Sequence, residues 1–177
     1  MAAKWDSWRD IGKARSNEGE YFGIYEIGIA DQMGRPVPIS RIGGVDKEGV
    51  VYVGRSGYKP PRTLAQRIHE FQTGRSSGAQ TYMLMSDSLK YLKHPHSEHL
   101  LRYRAMHVRA EDVNIDDRVI AAEVKEFRFS KEIESEEVDA LAHYFVKYGE
   151  LPPCNSNFPK WEAFNKRVQE LGMSEGL

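Results

Sequence analysis

The spacing of apolar and polar positions changes several times along the chain, and each change predicts an element. Tyr21 to Ala30 (YFGIYEIGIA) and Gly49 to Gly54 (GVVYVG) are dense in β-branched and aromatic residues and read as strands. Between them, Asp31 to Glu48 carries Gly34, Pro36, Pro38, Gly43 and Gly44, the punctuation of a loop or wide hairpin connection. Arg55 to Arg62 is loop, because Gly57 and Pro60-Pro61 block regular structure. Thr63 then caps a helix whose buried stripe is Leu64, Ile68 and Phe71, and Gly74 to Gly78 ends it. Tyr82 to Leu92 predicts another helix with Met83, Leu84, Leu89 and Leu92 inward, Lys93 to Ser97 a turn, and Leu101 to Val108 a third strand. Val119 to Phe129 fits strand and helix equally. Ser135 is placed to cap a helix carrying Glu137, and Trp161, Phe164, Val168 and Leu171 mark a last helix over Pro159 to Leu171. At the other end, Trp5, Trp8 and Ile11 share one side of a predicted amphipathic helix over Ala2 to Ala14.

These elements sum to an α/β (α+β) fold: a small central, mostly antiparallel three-stranded sheet flanked by helices. Residues 1–19 form an N-terminal helical extension, 20–158 the main domain, and 159–177 a C-terminal helix packed on it. With 177 residues, 40% hydrophobic and 29% charged, the chain can bury one core. No apolar run approaches the ~20 residues of a membrane span, so no membrane partner is expected. The lone Cys154 excludes an internal disulfide and fits a reducing compartment, which makes the cytoplasm the expected location.

The net charge of −1 hides a segregation. Arg55 to Arg75 carries +4, Lys90 to Arg109 carries +4, and Glu111 to Asp139 carries −7. A cation-lined face opposite an acidic one can take phosphate locally while limiting nonspecific association.

Two tripeptides, Gly23-Ile24-Tyr25 and Tyr52-Val53-Gly54, sit in the first two strands. Antiparallel pairing would bring their phenols to one place on a rigid sheet, which suits a site needing weak acids at fixed positions. Arg55 follows directly, and Arg67 lies mid-helix beside the apolar stripe. Glu137 shares a helix face with Leu141, Tyr144 and Phe145. Leu151-Pro152-Pro153-Cys154-Asn155 comes last. In this order, over residues 20 to 157, the chain resembles the GIY-YIG nuclease family. The resemblance implies a metal-dependent endodeoxyribonuclease acting on double-stranded DNA, of sequence-specific restriction type and often a homodimer. A repair or phage nicking enzyme, or a catalytically inactive nucleic-acid-binding module on the same scaffold, is the alternative.

Phosphodiester hydrolysis needs a deprotonated water, neutralised equatorial oxygens and a stabilised leaving oxygen. A free phenol, with pKa ~10, is a poor base at neutral pH and needs a neighbouring cation or metal-bound water. The resemblance implies that Tyr25 or Tyr52 activates the water, and leaves open which. Arg67 is expected to hold the scissile phosphate, with its planar, permanently charged fork. Arg55 assists the phosphate or depresses a tyrosine pKa. Glu137 is the expected ligand of Mg²⁺ or Mn²⁺, a hard cation that prefers oxygen and keeps most of its waters; Glu123 is its rival if Val119 to Phe129 is helical. Lys59, Arg62 and Arg75 are expected DNA contacts. Asn155 is expected at the DNA or as a tie between the last loop and the site. One position departs from the family: Phe71 stands one turn after Arg67, where many relatives carry histidine or tyrosine. His69 points about 200° around the helix from Arg67. The cluster of His94, His96 and His99 is the other histidine source, although it reads first as a solvated basic turn.

Overall fold

The computed structural model describes residues 4–19, 21–57, 62–91, 100–108, 122–155 and 160–175. Four strands form the main sheet: β1 (Arg9–Asp10), β2 (Gly23–Ala30), β5 (Val50–Arg55) and β6 (Leu100–His107), in the order β1-β6-β2-β5 and antiparallel throughout. A separate hairpin, β3 (Ile39–Arg41) with β4 (Gly44–Asp46), fills the connection between β2 and β5. The helices are α1 (Ala14–Glu18, entered through a 3₁₀ turn Ile11–Lys13), α2 (Leu64–Gln72), α3 (Ser77–Tyr91), α4 (Ala122–Tyr148) and α5 (Trp161–Glu175). Among the described residues no helix is long and apolar enough to cross a membrane.

Every residue of β2 is buried, because helices cover both faces of the sheet. On one face Tyr25, Ile27, Ile29, Val51 and Tyr103 pack with Leu64, Ile68 and Phe71 of α2. On the other, Val50 and Val53 meet Val138, Leu141 and Tyr144 of α4 and Phe164 of α5. The expected cap of α2 is present and reciprocal: Thr63 Oγ1 accepts from Gln66 N at 3.3 Å, and Gln66 Oε1 accepts from Thr63 N at 3.0 Å.

Four expectations need correction. The sheet has four strands, not three, since β1 adds a short edge. The predicted N-terminal helix is absent among the described residues: 4–8 have no regular structure and 9–10 are strand. The reason is aromatic. Arg102 of β6 lies 4.1 Å from the Trp8 ring centroid, and Arg104 lies 4.8 Å from Trp8 and 5.1 Å from Trp5. An extended chain presents both indoles to those guanidiniums while Asp6 N donates to Ala105 O. Ser135 caps nothing, because α4 already starts at Ala122 and runs 27 residues. This resolves the ambiguous segment as helix from Ala122 onward; 119–121 lie outside the described residues. Phe129 and Ile133, one turn apart, are buried against Ile24 and Met106 and extend the stripe backward. Finally, α3 starts at Ser77, with Ser76 Oγ accepting from Ala79 N. It packs through Ala79 and Tyr82, which leaves Met83 and Leu84 exposed rather than inward.

Candidate active site

The register between β2 and β5 sets the geometry. Tyr25 faces Gly54 and Ile27 faces Tyr52, so the two tyrosines are diagonal neighbours on one face. Their rings lie 6.0 Å apart between centroids, tilted by 50°. Gly54 makes this possible: a Cβ there would fall 2.5 Å from Tyr52 Cε1 and 2.8 Å from the Tyr25 hydroxyl. Gly78 of α3 does the same on the other side, where a Cβ would meet the Tyr52 ring at 2.5 Å.

The Tyr25 hydroxyl is fully buried and has no hydrogen-bond partner among the described residues. Burial, then the Tyr52 phenol, push Tyr25 well above the ordinary tyrosine pKa, and Arg67 opposes them. Burial also raises Tyr52, against the pull of Arg67 and with a further push from Glu137. The Arg67 guanidinium and the Glu137 carboxylate therefore both act on the two phenols. They arrive from opposite layers, α2 and α4, and meet at β5, the outermost strand on this side of the sheet.

Arg67 is held on two edges. Nε donates to the Arg55 carbonyl at 3.2 Å and Nη1 donates to Glu70 Oε2 at 2.7 Å. Burial works to lower its pKa, but Tyr25, Tyr52 and Glu70 together raise it. Arg55 points to the α4 side, with Nε 3.0 Å from Glu137 Oε2 and Nη2 3.6 Å from Glu134 Oε1. Burial lifts the Glu137 carboxyl to about 7, opposed by Arg55 and aided by Glu134. Glu134, by contrast, is held below the ordinary range: burial raises it, and Lys160, Lys131 and Arg55 more than offset that.

The remaining expected residues fall into three groups. Arg62 and Arg75 are exposed on the α2 side, Arg62 Nη1 at 3.7 Å from Glu70 Oε2. Asn155 is spent on the sheet: its Oδ1 accepts from Val53 N at 2.9 Å and its Nδ2 donates to Val53 O at 2.7 Å. It thus ties the last loop to β5 beside Gly54 and has its amide turned toward backbone. Lys59 and the His94–His99 cluster lie outside the described residues, as does the Glu123 side chain. Phe71 is buried with its ring 5.2 Å from Tyr52, and His69 contacts Gln72 on the outer side of α2.

Two participants were missed in the sequence. Glu70 stands at i+3 from Arg67, a spacing that pairs side chains on a helix and was there to be used. Gly78 carried no signal, since its role depends on where α3 lands.

A cation would find oxygen donors here. The Glu137 carboxylate is engaged by Arg55 through Oε2, and the Tyr25 hydroxyl has no hydrogen-bond partner among the described residues. Glu137 is the residue here that could hold a hard divalent cation, in competition with Arg55. A second group, Asp6, Glu18 and His107, also brings three potential ligand atoms within 4.8 Å. There Arg9 donates to both carboxylates, Tyr103 donates to Glu18 and His107 Nε2 lies 2.6 Å from Glu18 Oε2, so these oxygens already have protein partners. A cavity of about 230 Å³ between the sheet and α4, lined by Trp5, Glu26, Asp46, Arg104 and Tyr144, lies apart from the tyrosine pair. No known protein family, curated protein or solved structure matches this chain.

Proposed function

We propose that this chain is a metal-dependent endodeoxyribonuclease of GIY-YIG type, cutting double-stranded DNA. One observation carries the reading: two phenols, one of them buried and unpartnered, share an electrostatic environment with a clamped arginine and a carboxylate whose pKa is raised. A buried hydroxyl without a partner costs stability, and such a group in a folded protein calls for a role beyond packing.

In this reading Arg67 binds a nonbridging oxygen of the scissile phosphate through Nη2, while Tyr25, buried and protonated, packs beside the Tyr52 ring and fixes it. Tyr52 is only partly buried, so it meets the incoming water. Its own proton must first pass to bulk solvent, favoured by Arg67 against the burial that raises its pKa. The phenolate then takes a proton from the attacking water. Mg²⁺ or Mn²⁺ on Glu137, when bound, supplies Lewis-acid stabilisation of the phosphate and the departing 3′ oxygen. Arg55 leaves Glu137 for Glu134 or the DNA backbone. Arg62 and Arg75 give nearby cations for flanking phosphates.

The second reading, a binding module without catalysis, is favoured by Phe71 against Tyr52 and by Arg55 lying on Glu137. Supercoiled plasmid incubated with the protein and Mg²⁺, Mn²⁺ or chelator separates the two. Discrete metal-dependent fragments mark a restriction-type enzyme and nicked circles a nicking one. Retarded but intact plasmid under every metal assigns the chain to the binding class. Arg67→Ala is expected to lower the cutting rate about 10²- to 10³-fold.

A further inference from the structure

Glu70 sits oddly in a site for an anion. Its carboxylate lies 2.7 Å from the arginine expected to hold the phosphate, where it would repel that same phosphate. It is partly buried, and a second cation, Arg62 Nη1, lies 3.7 Å from the same oxygen. An exposed pair at i and i+3 would be an ordinary helix contact. This one differs because the Arg67 guanidinium is also fixed from the sheet, by the Arg55 carbonyl at 3.2 Å.

We infer that Glu70 is the positioning residue of the site: with the Arg55 carbonyl it holds two edges of the Arg67 guanidinium, so that Nη2 and the second Nη1–H remain for a phosphate oxygen. The inference rests on the nuclease reading and goes beyond it by giving a task to an acid that binds neither metal nor DNA. An arginine side chain carries large rotamer entropy. Fixing it before substrate arrives moves that cost out of the reaction step, as preorganisation requires. The trade-off is weaker ground-state binding, since a negative charge stays beside the anion site. A merely structural ion pair has no such signature.

The test uses the full chain as wild type, Glu70→Ala and the isosteric Glu70→Gln. Three quantities are read: binding of a fluorescein-labelled DNA duplex without divalent metal, plasmid cutting rate with Mg²⁺, and the Arg67 side-chain Nε–Hε and Nη signals by NMR. The expected result is a split. Glu70→Ala binds the duplex as tightly as wild type or more tightly, yet cuts about tenfold more slowly or worse. Glu70→Gln, which keeps an acceptor, falls between, and the slow guanidinium rotation of Arg67 in wild type is lost in Glu70→Ala. Wild-type cutting by Glu70→Ala overturns the inference, and so does an Arg67 signal equally restrained in both proteins. If wild type cuts nothing, the nuclease reading falls. The clamp is then decided by the NMR signal alone: lost restraint in Glu70→Ala upholds it and unchanged restraint ends it. Should Glu70→Ala fail to fold, Glu70→Gln carries the same comparison.

Discussion

Replacing Glu137 with glutamine should flatten the pH dependence of folding stability. The folded protein holds the Glu137 proton up to about 7, whereas the unfolded chain releases it near 4.5. Between those values the native state binds more protons than the unfolded state, so stability falls as pH rises through the window and levels off above it. At about 1.36 kcal/mol per pH unit the gap is worth about 3 kcal/mol at full ionisation. The carboxylate's side chain is only 15% exposed, so solvent screens little of this. Urea unfolding at pH 5, 6, 7 and 8 measures it. Any other groups that titrate in this range are common to both proteins and cancel in the difference. Wild type should therefore lose about 2.5 kcal/mol relative to Glu137→Gln between pH 5 and pH 8. At pH 8, Mg²⁺ should return part of that loss to wild type and none to the variant. Parallel stability curves for the two proteins would refute the burial of a strained carboxylate at this position.

Three further outcomes are expected. Tyr25→Phe removes a buried hydroxyl with no partner, so stability should hold or rise by about 1 kcal/mol in urea titration while plasmid cutting drops. Gly54→Ala places a methyl 2.5 Å from the Tyr52 ring and 2.8 Å from the Tyr25 hydroxyl. It should cost about 1–3 kcal/mol by thermal melting and disturb the near-ultraviolet tyrosine signal. Asn155→Ala strips both backbone partners from Val53 and should destabilise by about 2 kcal/mol. Asn155→Asp should not rescue it, because a carboxylate oxygen would then face the Val53 carbonyl.

Much of the frame was legible because local chemistry and tertiary packing agree there. The glycine-flanked strands pair as their composition predicted, and Thr63 with Gln66 forms the cap that the motif implies. The phenols converge because a strand period of two and a side-chain-free Gly54 leave them no other arrangement. Periodicity failed where long-range partners decided the outcome. Trp5 and Trp8 fit a helix by spacing, yet guanidiniums nearly a hundred residues away drew them into an extended path. Ser135 was placed as a cap, but Phe129 and Ile133 before it had a sheet end to cover and carry the helix back past it. Asn155 was legible as a residue tied to the site, and its bond to Val53 required knowing which strand lay at the edge.

Because Asn155 and the Cys154 amide, which donates to Val51 O at 2.8 Å, occupy the outer hydrogen-bonding groups of β5, the sheet cannot grow in that direction. Two copies of this chain thus have no route to a continuous intermolecular sheet through β5. The strand that carries Tyr52 and Gly54 is sealed against self-templating.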